Sequence, residues 1–424
     1  MTRQTPDSSL VELVIERPVP GGHMLARLDG RIVFVSGAIP GERVRAVVTR
    51  RRGQVSWADT REVIEASPDR REPSGDARCG GAVYSHIAYG RQCALKGEVI
   101  RDAFRRIAKH PLERDVAVLP SPEEGYRLRA RLHAQDGQMG FHLEGSHALC
   151  DADATGQLGP GAFEAVDRLR KTLGVNFGAC TAIVVSENVA ASQRVALCEL
   201  KPDWDPGLFA GLPMVEGLTG VAVLAPRGMF TCTGQDQIVD EARVLLGLES
   251  DLRWTRQAAS FFQGNRFLVG DLLRLVLAAA EGDHFVDLYS GIGLFAVALA
   301  DRGARGLAVE GEAASGQDLS DNAGQCDGRL SVQHGPVEAV VASLPAQPPD
   351  VVVVDPPRTG LSPEVLEGLL LWKAPRLVYV SCDVATLARD AGRLLAGGYT
   401  LSGLEGLDMF PRTAHVECVA VFDA

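Results

Sequence analysis

The spacing of hydrophobic and polar positions changes along the chain. Up to residue 66, short apolar runs alternate with glycine, proline and aspartate turns. The runs predict strands at 10–15, 26–28, 32–35, 44–49 and 57–65. Short strands separated by such turns are typical of a small β-barrel. We therefore predict a first domain over 1–66, followed by a Pro-, Arg- and Asp-rich linker at 67–77.

The remaining chain divides into two further regions. Residues 67–250 have mixed spacing and predict an α+β central domain, whose pattern indicates no function. Its expected elements are helices near 95–109 and 161–173 and strands near 127–134 and 183–185. From residue 251 a strand, a glycine turn and a helix recur several times. This order predicts a doubly wound α/β domain over 251–424.

Composition narrows the class of protein. The chain has 424 residues, 46% of them hydrophobic, and contains neither an apolar run long enough for a bilayer nor a basic-then-apolar leader. We expect a soluble, cytoplasmic protein with no membrane partner. The nine cysteines are scattered and odd in number, so reduced thiols are the default expectation.

The net charge of −11 is unevenly distributed. Residues 246–424 carry 13 basic and 23 acidic side chains, whereas residues 91–114 carry 7 basic and 3 acidic ones. Residues 1–66 carry 10 basic and 8 acidic side chains. A nucleic acid would therefore have to be bound by the N-terminal half of the chain. The run Arg50, Arg51 and Arg52 fits that contact or a solvated hairpin tip equally well.

Cys382 stands at the end of a buried strand and before a helix. The apolar run at 378–381 precedes it, and helical spacing begins at 385. Such a cysteine lies at the carboxyl edge of a parallel sheet near a helix N-terminus, where a thiolate is favoured. The alternative for an isolated cysteine is a small core residue.

A nucleoside site is indicated by two acidic strand ends. Asp287 precedes a turn containing Gly291 and Gly293, and a second strand ends in Glu310. A carboxylate at that second position suits two ribose hydroxyls. Because the third glycine of a dinucleotide fingerprint is missing, S-adenosylmethionine is favoured over a nicotinamide cofactor.

A third acidic strand end carries Asp355, followed by two prolines at 356–357. The prolines stiffen the loop and remove two amide donors, so carbonyls and one carboxylate face the sheet edge. Such loops are typical of methyltransferases that act on bases or amides. The alternative is a strand that merely ends in a turn.

Together these motifs resemble the RNA uridine-5-methyltransferase family. The barrel segment resembles a TRAM domain, an RNA-binding oligonucleotide-fold barrel, through Gly-Gly at 21–22, Leu-Asp-Gly at 28–30 and the block at 37–44. Four further blocks carry the resemblance over most of 255–424. They are Ser-Phe-Phe-Gln-Gly-Asn at 260–265, the two cofactor turns, Asp-Pro-Pro-Arg-Thr-Gly at 355–360 with the cysteine segment at 379–390, and 408–417.

The resemblance implies a role for each site residue. Cys382 would add to C6 of uridine, and Glu417 would remove the C5 proton. His415 either orients the site or makes a structural hydrogen bond. The methyl-donor site would be lined by Gln263, Tyr289, Glu310 and Asp355, of which Gln263 and Asp355 also face the uracil.

The sequence departs from the family pattern at several positions. Pro336 replaces an expected adenine contact, which puts that contact in doubt, and Leu294 should pack rather than hydrogen-bond. Many relatives hold an iron–sulfur cluster with four cysteines. Here Cys79 and Cys150 remain, whereas Pro73 and Ala82 stand at the other two places. We predict no cluster and no other metal, with the loop held by packing or with the two thiols lying close together.

Two other functions compete with RNA uridine methylation. A cytosine-5-methyltransferase would carry Pro-Cys in place of Asp355-Pro-Pro, and a non-catalytic RNA-binding protein or chaperone would not need Cys382 and Glu417. Relatives with a TRAM module mostly methylate large-subunit ribosomal RNA, so 23S ribosomal RNA is the expected substrate and transfer RNA the alternative. We expect a monomer.

Overall fold

The computed structural model describes residues 10–73, 75–225, 228–247, 249–343 and 347–424. The N-terminal stretch considered for a leader lies mostly outside these ranges. Within them, no helix is both long and apolar enough to cross a membrane. The molecule is mixed α/β, and its C-terminal part is doubly wound, as the sequence predicts.

Five strands close into an N-terminal barrel in the order β1-β2-β3-β5-β4. They are β1 (Leu10–Pro18), β2 (Met24–Leu28), β3 (Arg31–Ser36), β4 (Arg43–Arg52) and β5 (Val55–Glu65). All five predicted strands are present, and β3 and β5 pair in parallel whereas the other neighbours are antiparallel. The barrel therefore has the oligonucleotide-fold-like form predicted for a TRAM domain.

The barrel is tied to the segment that follows it. Its core also contains Tyr84, Ile87 and Leu95 from beyond the linker. In addition, the Arg70 guanidinium donates to the buried Glu42 carboxylate, with Nη2 and Oε2 2.6 Å apart. The linker is thus anchored to the barrel at both ends.

The middle region forms a seven-stranded sheet. One of its helices and one of its strands pack with the C-terminal sheet instead. Its elements are α1 (Tyr89–Ala103), β6 (Val118–Leu119), β7 (Arg129–Gln135), β8 (Gln138–His142), β9 (Leu149–Cys150), α2 (Ala162–Leu173), β10 (Cys180–Glu187), β11 (Arg194–Leu200), β12 (Gly220–Ala225), β13 (Gly228–Gly234), β14 (Gln237–Glu241), α3 (Ala242–Leu245) and β15 (Arg253–Gln257). The sheet order is β13-β12-β11-β10-β7-β8-β9, while β14 and β15 pair separately. The predicted helices and strands all appear near their expected positions.

The C-terminal region contains α4 (Val269–Ala279), β16 (His284–Leu288), α5 (Leu294–Asp301), β17 (Arg305–Glu310), α6 (Ala313–Ala323), β18 (Leu330–His334), α7 (Val337–Val341), β19 (Val351–Val354), α8 (Pro363–Trp372), β20 (Arg376–Ser381), α9 (Val384–Ala396), β21 (Thr400–Leu407) and β22 (Glu417–Asp423). The strand order is β18-β17-β16-β19-β20-β22-β21-β6. The first five strands are parallel and β22 is antiparallel.

The core covers both faces of this C-terminal sheet. One hydrophobic cluster contains α4 and α5, and the other contains α8 and α9. The four valines of β19 are fully buried, as expected for a central strand of a parallel sheet. Helix α1 packs in the second cluster through Ile100, as does Phe104 directly after the helix, and β6 adds to the sheet edge. The boundaries at 66 and 250 stay a prediction.

Candidate active site

The predicted polar residues follow neighbouring strands of the C-terminal sheet. Tyr289 follows β16, Glu310 ends β17, Asp355 follows β19 and Cys382 follows β20. These four strands are parallel, so their carboxyl ends meet at one edge of the sheet. The strand order therefore brings together residues that are up to 93 positions apart in the chain.

Cys382 and Glu417 lie at the same end of one strand pair. In the antiparallel pair β20 and β22, Ser381 lies opposite Cys418. Cys382 follows Ser381 and Glu417 precedes Cys418, and the two side chains are close enough for the charge of Glu417 to act on the Cys382 thiol. Glu417 is buried and Cys382 is half-buried. A thiol and a carboxyl group thus line the same space.

That space is a cavity of about 1030 Å³, large enough for a nucleoside and a flipped base. Every predicted site residue lines it. They are Gln263, Tyr289, Glu310, Asp355, Cys382 and Glu417. Phe261, whose ring is largely exposed, and His415 also line the cavity.

The thiol of Cys382 is held in its neutral form. Burial, followed by the negative charge of Glu417, raises its pKa to about 11, while the Arg358 guanidinium opposes this shift. The expectation that the position at the start of α9 favours a thiolate was wrong for the protein alone. The nearby carboxyls and the partial burial outweigh the helix terminus.

The pKa values of the two carboxyls beside Cys382 are also raised. Burial, and then the charge of Asp355, raises the pKa of Glu417 well above its usual range. Burial raises the pKa of Asp355 to about 7, although Gln263 Nε2 donates to its Oδ2 at 3.0 Å and so lowers the pKa. A glutamate with a raised pKa at a closed site suits the role of general base or acid.

His415 lies in the same cavity as an uncharged imidazole. Burial, followed by the positive charge of Arg358, lowers its pKa to about 4. Its backbone N–H donates to Thr413 Oγ1 at 3.2 Å, and its ring meets the ring of Phe410 edge-on at 6.1 Å. These contacts fix the ring, which agrees with either of the two roles considered for it.

Glu310 is oriented by backbone amides. Its carboxylate accepts from the N–H of Gly291 at 2.8 Å and from that of Glu312 at 2.7 Å. Gly293 has a left-handed φ of 89°, and a Cβ there would lie 2.7 Å from Leu319 Cδ1, so this turn requires glycine. The turn and the carboxylate together form the edge of the cavity where a nucleoside would lie.

Asp287 lies beneath this turn and is fully buried. Burial raises its pKa to about 8, and its Oδ2 accepts from the Ala296 N–H at 3.2 Å. Its Oδ1 has no hydrogen-bond partner among the described residues. Leu294 packs in the apolar core beside it, as expected, and also borders the cavity.

Comparison with known proteins identifies the family. Residues 344–423 match the model of the tRNA (uracil-5-)-methyltransferase family. A 23S rRNA (uracil(1939)-C(5))-methyltransferase RlmD of Pseudomonas putida is 33% identical, covering 100% of this chain and 96% of that protein. An uncharacterized RNA methyltransferase of Streptomyces avermitilis is 33% identical over 95% of each chain. The chain belongs to the RNA (uracil-5-)-methyltransferase family.

The fold of this family member also matches a solved structure. The tRNA (uracil-54, C5)-methyltransferase of Pyrococcus abyssi, in complex with S-adenosyl-L-homocysteine, superposes with a TM-score of 0.76 at 24% identity. The match covers 97% of this chain and 99% of the other. The barrel, the central region and the doubly wound region are thus shared with a known RNA methyltransferase fold.

Sequence reasoning missed the part of the cavity that the central region supplies. The cavity is also lined by four residues that belong to no predicted motif, namely Arg127, Arg129, Phe141 and His142. The sequence signal that could have identified them is an alternation of polar and buried apolar residues. The polar residues are Arg127, Arg129, Arg131 and His133, and the buried ones between them are Leu128, Ala130 and Leu132. A period of two on a strand places all four polar residues on one face. Arg358 was quoted within a motif but was given no role.

The remnant cysteine loop borders the same cavity through Gly80 and Gly81. Cys79 and Cys150 are joined as a disulfide, with Cα atoms 5.8 Å apart, so reduced thiols were the wrong expectation for this pair. Ala82 packs with them against Phe141. Within the described ranges, no group of three or more His, Cys, Asp or Glu side chains is arranged to hold a metal.

Proposed function

We propose that this protein transfers a methyl group from S-adenosylmethionine to C5 of a uridine in 23S ribosomal RNA through a covalent adduct of Cys382. The observation that carries this proposal is that Cys382 and Glu417, at the same end of the strand pair β20 and β22, line one cavity. The residues fit the cofactor, because the Glu310 carboxylate, oriented by the Gly291 N–H, lines the cavity at the end of β17, where a carboxylate suits two ribose hydroxyls. When bound, S-adenosylmethionine supplies an electrophilic methyl group on a sulfonium cation.

Uridine C5 needs activation before it can take a methyl group. The Cys382 thiolate bonds to C6, and the electrons of the C5–C6 double bond move onto the C4 carbonyl as an enolate. C5 would then form the new carbon–carbon bond to the methyl group while the bond from that methyl group to the sulfonium sulfur breaks, so that S-adenosylhomocysteine would be the leaving group. The Glu417 carboxylate takes the C5 proton, the double bond forms again, and Cys382 leaves as a thiolate. The thiolate of Cys382 is thereby restored. Glu417 returns to a carboxylate when it releases the C5 proton to solvent.

The raised pKa values in the free site are consistent with this chemistry. Cys382, Asp355 and Glu417 ionise more readily beside a sulfonium cation, because a nearby positive charge lowers the pKa of each. Arg358 acts in the same direction on Cys382. Ionisation is thus coupled to the assembly of the reactive complex.

The choice of ribosomal RNA is supported by the names of relatives. Several relatives about 33% identical over nearly the whole chain are named as enzymes of uracil 1939 in 23S rRNA. Transfer RNA is the second candidate, because the family model and the solved structure are named for tRNA enzymes. We infer that the chain acts as a monomer in the cytoplasm.

The experiment incubates the purified protein with radiolabelled S-adenosylmethionine and total RNA from cells that lack the gene. We expect label in 5-methyluridine of 23S rRNA. Label confined to tRNA would correct the substrate. Retention of RNA without any transfer would refute the enzymatic assignment.

A further inference from the structure

A stack of flat polar side chains extends outward from the catalytic cavity on β7 and β8. The Arg131 guanidinium Nη1 lies 2.9 Å from Nδ1 and 3.4 Å from Nε2 of His133. The His133 ring stacks on His142, with centroids 3.6 Å apart and planes inclined by 14°. His147, on the turn after β8, meets His142 edge-on at 5.5 Å. We call these four residues the histidine stack.

Contacts within the protein hold the histidine stack in place. Arg131 forms a bidentate contact with Glu199, in which Nη2 and Oε2 are 2.6 Å apart, so its charge is already balanced. Burial, and then the neighbouring imidazole, lowers the pKa of His133 and of His142. A lowered pKa disfavours the charged imidazolium, so the faces of these two rings are suited to stacking rather than to ion pairing.

The position of the stack relates it to the cavity. His142 borders the same cavity as Cys382, while His147 is exposed at the outer end. Beside it, the Arg127 guanidinium lies 5.5 Å from the ring centre of Phe141 and 5.7 Å from that of Phe410. Flat groups thus continue from the cavity to the protein surface.

A metal would be the usual alternative for three clustered imidazoles. Their geometry argues against it, since two of the rings are stacked face to face and their nitrogens do not converge on one point. Over the part of the chain that the structure describes, these imidazoles belong to no group of side chains able to hold a metal ion. Stacking on a planar ligand is the interaction that remains.

We propose that the histidine stack binds an unpaired base of the RNA strand next to the target uridine. This inference rests on the proposed function. Rotating a uridine into the cavity leaves its neighbours unstacked, and proteins stabilise such bases on His rings and Arg planes. Stacking of this kind tolerates any base, because each has a π-face. The stack would therefore contribute affinity rather than choice of sequence.

The test measures binding of a labelled single-stranded oligouridine of about 12 nucleotides to the Cys382→Ala protein, which prevents turnover. Adding His142→Ala should weaken binding roughly tenfold, the scale of losing one stacked base. His142→Phe keeps an aromatic face and should retain the affinity. The matched control is His284→Ala. His284 is exposed and begins β16, at the end of that strand away from the cavity, so its removal should leave the affinity for the probe unchanged.

Salt dependence distinguishes stacking from phosphate binding. Removal of a neutral ring should leave the logarithmic salt slope unchanged, whereas removal of a cation that binds a phosphate would lower it by about 0.7. A fallen slope, unchanged affinity in His142→Ala, or no binding of the probe by the parent protein would each overturn the proposal. Methyl transfer to total RNA by the unmodified chain is measured in parallel, so failure of the stack is separable from failure of the proposed function.

Discussion

The two sides of the cavity come from different regions of the chain and differ in the kind of ionisable group that they carry. The C-terminal side carries two carboxyls, the half-buried Asp355 and the buried Glu417, beside Cys382. The central side carries Arg127, Arg129 and the imidazole of His142. In the account proposed above, the first side supplies the groups that form and break bonds, and the second supplies groups that hold a polyanion and its bases. We therefore propose that chemistry and RNA recognition are supplied by separate regions of the chain.

The largest expected effect concerns the acidic side. Cys382→Ala should abolish methyl transfer, because C5 of uridine is not a sufficient nucleophile until a group adds to C6. RNA affinity should stay near that of the unmodified protein, since recognition comes from the other domains. Transfer of labelled methyl groups and RNA binding are measured on the same preparation. Substantial turnover by this variant would refute covalent activation.

A second prediction concerns a cation that acts on the nucleophile. Arg358→Gln removes a charge that lowers the pKa of Cys382, so this pKa, already about 11, should rise further. Less thiolate is then present at pH 7, and the rate should fall roughly tenfold each time the pKa rises by one. The rising limb of the pH–rate profile should move to higher pH.

The matched control for Arg358 is Arg393→Gln, an exposed arginine near the end of α9. It should leave both the rate at pH 7 and the pH profile unchanged. A slower Arg358→Gln enzyme with an unshifted profile would mean that Arg358 acts on binding and not on the thiol.

The barrel should contribute a smaller, electrostatic effect. Arg50, Arg51 and Arg52 end β4, and Arg50 lies 4.8 Å from the ring centre of Trp57. Replacing all three with Ala should weaken RNA binding and reduce the logarithmic salt slope by roughly 0.7 to 0.9 for each phosphate that the variant no longer binds. Binding of S-adenosylmethionine should not change.

Substitution is a cleaner test here than deletion of 1–66. Removing the barrel would expose Tyr84, Ile87 and Leu95, which complete its core. Arg168→Ala combined with Lys171→Ala on α2 serves as the control for loss of charge. If the triple variant binds with the original affinity and slope, recognition lies in the central region.

The last and smallest prediction concerns the remnant loop beside the cavity. Protein purified without oxygen should contain no iron and show no visible charge-transfer absorbance, because only two of four cysteine positions remain. A variant with Pro73→Cys and Ala82→Cys, which restores four thiols, is the matched comparison. Stoichiometric iron in the unmodified chain would overturn the ligand count.

The sequence allowed more of the C-terminal side of the cavity to be predicted than of the central side. Asp355, Cys382 and Glu310 could be placed because each ends a strongly apolar strand, and parallel strands align such ends. The pKa of Cys382 could not be inferred, since it depends first on the burial of the thiol and then on Glu417 from another strand. The alternation of residues in the sequence showed that β7 has a cationic face. It did not show that this face points toward the cavity, because contacts between domains set that orientation. The bond between Cys79 and Cys150 likewise depends on residues 71 positions apart.

The central claim, that Cys382 bonds to the base and Glu417 removes the C5 proton, is tested most directly with Glu417→Gln. This variant is incubated with RNA and S-adenosylmethionine labelled in the methyl group, and the products are separated on a denaturing gel. The amide cannot accept the proton, so the methylated uridine should stay bonded to Cys382 and appear as a labelled, slower protein band. The band should disappear when Cys382→Ala is added. Absence of the shifted band, or free methylated RNA at the normal rate, would contradict the account.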